Sequence, residues 1–234
     1  MENSIFIPSG EIHLWWVTMG EAEPHMVQLR DMLNDEERRR AERYRVPGRG
    51  DRFIVARAVL RSVLGRVVGV NPGEIVFAYG KNGKPSIGDG APFFNASDSG
   101  DHVVVALAST EIGIDLEVAR SLARRDRLAH RICTERELAA FTSLPDNQKD
   151  HALLRLWTSK EAGLKAVGIG LTGGVQNVEV EIDPRRGLRL LRLLDHREGW
   201  TLMPIEVHES IICTAIFQGS GGTLVQHQAH HLFE

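Results

Sequence analysis

Two carboxylates lie two positions apart in a stretch that alternates between apolar and other residues. In Ile112–Val118 the apolar side chains occupy every second position, and Asp115 and Glu117 fall on the opposite side together with Gly113. Because neighbouring carboxylates make each other harder to ionise, a divalent cation would stabilise the pair. Oxygen ligands alone favour magnesium, which commonly binds one or two carboxylates and a substrate phosphate. The alternative is a half-buried strand whose acidic face is solvated.

A second candidate group lies further along the chain. The segment Leu156–Lys165 has helical spacing, which places Trp157, Glu161 and Lys165 along one stripe. A helix holds such side chains rigidly, so this stripe could supply a third carboxylate and a cation to the acidic strand. The alternative is a surface ion pair between Glu161 and Lys165, which would contribute only about 0.2–0.5 kcal/mol.

The elements that must position these groups follow a pattern that occurs twice. Each half contains a strand, two helices and further strands, and the first helix of each half opens with a capping box, at Asn34–Glu37 and at Thr134–Glu137. The pattern predicts an α+β protein of two similar lobes, at 1–108 and at 109–218. The second lobe contains the acidic strand.

The remaining residues, 219–234, are predicted to form a tail. The segment after Gln218 is rich in glycine, which is typical of a flexible connection. His227, His230 and His231 lie beyond it, and we expect them to be mobile rather than to form a metal site.

Composition and charge argue against several classes of protein. The chain has 234 residues and a formal net charge of −3, which does not favour nucleic-acid binding. Its two cysteines make no disulfide framework and favour a reducing cytoplasm. No basic segment followed by an apolar run opens the chain, and the longest apolar runs, such as Val103–Ala108, are too short to cross a bilayer. We expect a cytoplasmic protein that binds neither nucleic acid nor membranes.

Three stretches together resemble the Sfp-type 4'-phosphopantetheinyl transferases. They are Phe94–Ser99, Gly113–Glu117 and Trp157–Ala162, the last with a continuation at 165–171. The resemblance spans most of 30–171. It implies two similar α+β lobes with the active site at their interface, in agreement with the doubled pattern. The size of the chain and its doubled lobe suggest a monomer, since the second lobe would supply what a partner subunit otherwise supplies.

The resemblance further implies a reaction. Members of this family use magnesium to transfer the 4'-phosphopantetheine group of coenzyme A to a serine of an apo acyl or peptidyl carrier protein, and they release adenosine 3',5'-bisphosphate. Phosphoryl transfer of this kind depends on positioning and charge neutralisation. Two alternatives remain: a catalytically weak relative that binds carrier protein or coenzyme A, and a magnesium-dependent phosphohydrolase that uses the same carboxylates.

Roles for particular residues follow from the same resemblance. Asp115, Glu117 and Glu161 would bind magnesium, Glu161 would also deprotonate the attacking serine, and Lys165 would stabilise the leaving group. The residues that would bind coenzyme A are Arg40, Arg52, Lys84, Ser97, Asp98 and Lys165. Glu137 matches a further acid near the metal, although its place in a capping box is a structural alternative.

Position 98 departs from the family pattern, which usually has a histidine there that is thought to contact a phosphate of coenzyme A. Asp98 would bring a negative charge to that place and weaken the binding of coenzyme A. The side chain could point away, with His102 or an arginine taking over the contact. It could instead be paired with an arginine, or the chain could be the weak relative described above.

A basic stretch directly follows the acidic strand. Its members are Arg120, Arg124, Arg125, Arg127 and Arg131. The resemblance places the docking of acidic carrier-protein helices near this stretch. A solvated helix face is the alternative.

Overall fold

The computed structural model of the protein describes residues 7–88, 92–170, 174–183, 187–195, 199–208 and 210–233. Within these ranges the helices are α1 (Met19–Ala22), α2 (Met26–Asp31), α3 (Asp35–Glu42), α4 (Arg49–Val68), α5 (Arg125–Ile132), α6 (Glu135–Ser143) and α7 (Asp146–Val167). The strands are β1 (Glu11–Thr18), β2 (Ala78–Tyr79), β3 (Pro85–Ser86), β4 (Phe93–Ser99), β5 (His102–Ala108), β6 (Ile112–Val118), β7 (Val178–Asp183), β8 (Gly187–Leu193), β9 (Trp200–Ile205), β10 (Ile211–Gln218) and β11 (Thr223–Gln228). Short 3-10 helices lie at Glu23–His25, Pro72–Glu74, Val175–Asn177 and Ala229–Leu232.

The chain divides into two compact units, and each contains both helices and strands, which confirms the α+β class. The first unit consists of Met1–Tyr79, Pro85–Ser109 and Thr223–Glu234, and the second of Gly80–Lys84 and Thr110–Gly222. The segment Gly80–Lys84 therefore belongs to the second unit, whereas the sequence placed it within the first lobe.

A sheet with the strand order β11, β1, β5 and β4 forms the frame of the first unit. β5 pairs antiparallel with both β1 and β4. α4 covers one face of this sheet, because Val55, Val59 and Val63 are buried in the same apolar cluster as Trp15 and Val105. The long helix is therefore held to the sheet by apolar burial along one of its sides.

The second unit places the acidic strand against a helix. β6, β10 and β9 form one sheet, β7 and β8 pair antiparallel, and α7 contacts both β6 and β10. A Cβ atom at Gly113 of β6 would lie 2.1 Å from the carbonyl oxygen of Ala162 and 2.3 Å from the amide nitrogen of Ala166. Only glycine allows this approach, so Gly113 sets the short distance between β6 and α7.

Both predicted capping boxes are present. Asn34 accepts the backbone N–H of Glu37 at 2.9 Å, and the Glu37 carboxylate accepts the N–H of Asn34 at 3.0 Å. Thr134 and Glu137 make the equivalent contacts at the start of α6. These local signals therefore fixed the beginnings of α3 and α6.

The two longest described helices, α4 and α7, have 20 and 22 residues. Each contains several charged side chains among its apolar ones. In the described part of the chain, no helix combines the length and the apolar character that crossing a membrane requires.

The C-terminal segment belongs to the first unit instead of forming a tail. β11 pairs in parallel with β1 along its whole length, which corrects the expectation for 219–234. Side chains strengthen this pairing, since His13 Nδ1 lies 3.0 Å from His227 Nε2. His227 also stacks on Trp15, with ring centroids 4.6 Å apart. The added strand covers an edge that β1 would otherwise expose.

We predict that the His227 contact makes the stability of the protein depend on pH. Burial and the neighbouring His13 lower the pKa of His227. The folded protein thus disfavours the protonated form of His227. The contribution of His227 to stability is therefore present above the ordinary histidine pKa of about 6.5 and is lost as the pH falls. Between about pH 8 and about pH 5, His227→Gln should show a smaller fall in Tm than the wild type.

His130→Gln is the control for this experiment, because His130 is exposed on α5. It should keep the wild-type dependence of Tm on pH. An unchanged dependence in His227→Gln would contradict the prediction.

Candidate active site

One face of β6 directs the acidic pair toward α7. Gly113, Asp115 and Glu117 alternate with apolar residues as predicted, and Gly113 contacts α7 directly. Asp115 and Glu117 therefore face the same helix. Asp115 is buried, with 6% of its surface exposed, whereas Glu117 is partly exposed and accepts a hydrogen bond from Arg120 at 2.7 Å.

Lys165 of α7 contacts the first of these carboxylates. Its ammonium donates to Asp115 Oδ1 at 2.6 Å and to the carbonyl oxygen of Ile114 at 3.2 Å. Glu161 lies one turn earlier on the same helix, within range of the charges of Asp115 and Glu117. The second unit thus brings together the acidic strand and the Glu–Lys stripe, as the sequence suggested.

Glu161 has an unusually basic carboxylate. Burial raises the pKa of Glu161 to about 7, and the negative charges of Asp115 and Glu117 act in the same direction, against the opposing effect of Lys165. A carboxylate with a pKa near neutrality can accept and release a proton at physiological pH. Within this group, Glu161 is therefore the residue best suited to act as a general base.

The acidic residues are of the type that binds magnesium, but their side chains are not grouped around one ion position. Asp115, Glu117 and Glu161 offer only oxygen ligands, and a divalent cation would relieve the repulsion that contributes to the raised pKa of Glu161. Among the residues that the structure describes, however, no three His, Cys, Asp or Glu side chains are grouped so that they could hold a metal ion. The ammonium of Lys165 lies against Asp115 instead.

Glu137 is engaged in structural contacts. Besides its capping box with Thr134, its Oε1 accepts the backbone N–H of Val180 at 2.8 Å. Lys160 Nζ lies 2.8 Å from Glu137 Oε2, and both side chains are fully buried. These contacts join α6, α7 and β7 and go beyond the capping box that the sequence predicted. The burial of Lys160 had one signal in the sequence, because leucines lie one helical turn before and after it and mark the buried side of the helix.

A cavity of about 230 Å³ in the first unit contains three of the residues that the resemblance assigned to coenzyme A. Arg40, Ser97 and Asp98 line it, together with Phe53 and Arg57. The Arg40 guanidinium lies over the Phe53 ring, 5.0 Å from its centroid. Such a combination of an aromatic ring and guanidinium groups can bind a flat ring and phosphates. The sequence signal for Phe53 and Arg57 was their spacing of one helical turn.

Asp98 is paired with an arginine, which is one of the alternatives left open above. Arg52 Nε donates to Asp98 Oδ2 at 2.9 Å. The side chains are 20% and 37% exposed, respectively. Asp98 therefore lines the cavity as half of a neutral pair with Arg52.

Lys84 is not among the residues that line this cavity. It belongs to the second unit, where its ammonium contacts the Glu111 carboxylate and donates to the carbonyl oxygen of Ala166 at 2.5 Å. These contacts join the segment Gly80–Lys84 to the region before β6 and to the end of α7. To bind a phosphate, Lys84 would have to give up its contact with Glu111.

Known proteins match the chain over both units. The family model of the 4'-phosphopantetheinyl transferase superfamily matches residues 111–215, which include β6 and α7. A crystal structure of holo-[acyl-carrier-protein] synthase from Neisseria meningitidis aligns with a TM-score of 0.39 and 20% identity, over 47% of this chain and 98% of that chain. The 4'-phosphopantetheinyl transferase HetI of Nostoc sp. is 34% identical over 91% of this chain and 90% of its own.

A 4'-phosphopantetheinyl transferase of Bacillus pumilus is 28% identical over 82% of this chain and 83% of its own. The matches to both relatives extend well beyond the span 111–215 of the family model. The similarity thus includes most of the residues that build the two units, and the chain belongs to the 4'-phosphopantetheinyl transferase superfamily.

Proposed function

We propose that this protein is an enzyme that transfers the 4'-phosphopantetheine group of coenzyme A to a serine of an apo acyl or peptidyl carrier protein and releases adenosine 3',5'-bisphosphate. It acts as a monomer, with magnesium as its cofactor. The observation that supports this most directly is the contact between Lys165 and Asp115 at 2.6 Å beside the basic carboxylate of Glu161. All three residues lie within the span 111–215 of the family match.

The proposed chemistry gives each of these residues a task. The carrier serine oxygen attacks the phosphorus nearest the pantetheine, and the bond from that phosphorus to the oxygen of the nucleotide phosphate breaks. Glu161 accepts the serine proton, directly or through a water molecule, because burial makes its carboxylate more basic than that of an ordinary glutamate. Lys165 stabilises the negative charge that develops on the leaving oxygen.

Magnesium would be held by Asp115, Glu117 and Glu161, and when bound it would neutralise the pyrophosphate of coenzyme A. The oxygen-only donor set and the repulsion among these carboxylates support the assignment. Until the ion is bound, Lys165 compensates the buried charge of Asp115.

The cavity of the first unit is proposed to bind the nucleotide part of coenzyme A. Phe53 offers an aromatic face, and Arg40 and Ser97 offer donors to phosphate oxygens. Arg52 would contribute its charge only in part, because Asp98 accepts its hydrogen bond.

We propose that the carrier protein approaches along α5. Arg127 and Arg131 are exposed and share one face of α5, and Arg124, which is also exposed, directly precedes the helix. Arg125 instead forms ion pairs within the protein. Its guanidinium nitrogens lie 2.5 Å from Asp146 Oδ1 and 3.5 Å from Asp150 Oδ1, which joins α5 to α7. Exposed arginines of this kind mainly raise the rate of association with an acidic partner.

The function is tested by the mass of the carrier protein. The enzyme is incubated with magnesium, coenzyme A and apo carrier proteins, and the carrier should gain the mass of one phosphopantetheine group. A carrier whose acceptor serine is replaced by alanine, and a reaction without magnesium, should show no gain. Release of adenosine 3',5'-bisphosphate without any carrier would indicate a phosphohydrolase. Tight binding of carrier without a gain in mass would indicate a weak relative that only binds.

We predict that removing the charge of Asp98 tightens the binding of coenzyme A. In Asp98→His and Asp98→Asn, Arg52 loses its partner and a negative charge disappears from the cavity. A like charge at 4 Å costs about 1 kcal/mol in water and more in a partly buried place, so Kd should fall by about fivefold or more. Calorimetric titration with coenzyme A measures this.

Asp101→Asn is the matched control, since Asp101 is an exposed carboxylate in the turn between β4 and β5. It should leave the Kd for coenzyme A unchanged. If the Asp98 variants bind coenzyme A as the wild type does, or more weakly, Asp98 does not act on a bound phosphate.

A further inference from the structure

A second cavity lies within the second unit, on the far part of α7 from Lys165. Its volume is about 480 Å³. His151 and Arg155 of α7 form one wall, and Ile211–Thr214 of β10 form the floor. Glu206, Val207 and His208, which follow β9, form the rim. The floor is apolar, because Ile211, Ile212 and Cys213 are buried among the core residues.

The cationic wall of this cavity has no acidic partner in the described structure. The Arg155 side chain is partly buried, and this burial lowers the pKa of its guanidinium. Within the described ranges, no carboxylate forms an ion pair or a hydrogen bond with that guanidinium. His151 lies one turn away and adds a hydrogen-bonding imidazole rather than a second charge, because burial and the charge of Arg155 lower its pKa. A partly buried guanidinium without a carboxylate partner favours an incoming anion.

The same cavity is adjacent to the acidic strand. In the antiparallel pair of β6 and β10, Ile212 lies opposite Glu117 and Thr214 lies opposite Asp115. Directly opposed residues have their side chains on the same face of the sheet. Thr214 also contacts Thr158 of α7, with their hydroxyl oxygens 3.2 Å apart. A molecule held in the cavity would therefore lie next to the residues assigned to the chemistry.

We propose that this cavity is a second docking site for the carrier protein, which receives an acidic, amphipathic segment of it. An apolar side chain of the segment enters above Ile212, and its carboxylates meet Arg155 and His151. Glu206 on the opposite rim repels carboxylates, so the acidic side of the segment is directed to the α7 wall. Val207, which is 39% exposed at the rim, adds apolar contact. The inference rests on the proposed transfer to a carrier protein.

One further contact supports this location. Arg125 joins α5 to Asp150, the residue before His151, so the arginine face of α5 and the cavity wall are carried by elements that touch. A partner steered to α5 by charge could thus reach an apolar recess nearby. Charges steer association, whereas a desolvated apolar recess with a paired charge supplies most of the binding energy.

The test uses the transfer assay with Arg155→Gln and Val207→Glu. We expect each substitution to raise the KM for the carrier protein by about tenfold, with kcat and the KM for coenzyme A within about twofold of wild type. The wild-type KM for carrier should rise with salt concentration, and this rise should be smaller in Arg155→Gln. Binding of a carrier whose serine is replaced by alanine should weaken in parallel.

Matched controls are Arg136→Gln, an exposed arginine of the same unit, and Val27→Glu, which replaces a 77% exposed valine of the first unit. Neither should change the KM for carrier. Should Arg155→Gln prove unstable, Val207→Glu and His208→Glu, both at exposed positions, give the same test.

An unchanged KM for carrier in folded Val207→Glu and His208→Glu overturns the proposal. A rise in the KM for coenzyme A alone also overturns it, because the cavity would then serve a small molecule. Failure of the wild type to modify any carrier contradicts the proposed function itself, and is thereby distinguished from failure of the docking site.

Discussion

Replacing Asp115 by asparagine is expected to lower the rate of carrier modification by about 10²–10³-fold, with the fold intact. The substitution keeps the shape of the side chain and removes the charge that faces Lys165 at 2.6 Å and acts on Glu161. Glu161→Gln should cause a loss of similar size because it removes the general base. The initial rate of holo-carrier formation measures both effects.

Magnesium gives this prediction a readout other than activity. If Asp115 and Glu161 bind the ion, adding magnesium should raise the Tm of the wild type, since a ligand stabilises the state that binds it. The two variants should lose most of that increase. Glu135→Gln, which changes an exposed carboxylate of α6, should behave as wild type in both assays. Near wild-type turnover by folded Asp115→Asn would refute the assignment of Asp115 to the chemistry.

Replacing Glu137 by glutamine should lower the free energy of unfolding by about 3–5 kcal/mol, because it leaves the buried ammonium of Lys160 without its counter-charge. Both side chains are fully buried with Nζ and Oε2 2.8 Å apart. The same carboxylate also accepts the N–H of Val180. Urea unfolding of the wild type and the variant measures the difference.

Glu181→Gln is the control for a surface interaction in the same unit. Glu181 pairs with Arg136 and Arg189, and such exposed pairs contribute about 0–1 kcal/mol. In a double-mutant cycle, Lys160→Met combined with Glu137→Gln should cost less than the sum of the single changes, because the two side chains interact.

The stability and the activity of Glu137→Gln together decide between two roles for Glu137. A large loss of stability supports the structural role that its contacts indicate. A Glu137→Gln protein that keeps wild-type stability but fails to transfer phosphopantetheine would instead support the role near the metal that the resemblance suggested.

Local patterns predicted the part of the site that lies on single elements. The alternation in β6 predicted that Asp115 and Glu117 share a face, because the side-chain period of a strand is two. The spacing of four residues predicted that Glu161 and Lys165 share a stripe of α7. The capping boxes predicted where α3 and α6 begin. Each of these features depends on residues only a few positions apart, so no distant partner was needed.

Tertiary structure decided which distant residues meet. Lys165 and Asp115 are 50 positions apart in the sequence. They are in contact because Gly113 lets β6 approach α7 closely. Arg52 was one of many arginines that could have paired with Asp98, and only the packing of α4 beside β4 selected it. Glu137 was compatible with a place near the metal or with a capping box alone, and only the tertiary structure buries it against Lys160.

The C-terminal strand shows the same division between local and distant information. By itself, the sequence determined the two α+β halves, the acidic strand, the Glu–Lys stripe and the family. Its polar segment 223–228 after a glycine-rich connection has the local character of a tail, and it becomes β11 only because β1 offers an open edge more than 200 residues earlier. Pairing across such a distance depends on which edge the rest of the fold leaves free, and no local pattern contains that information.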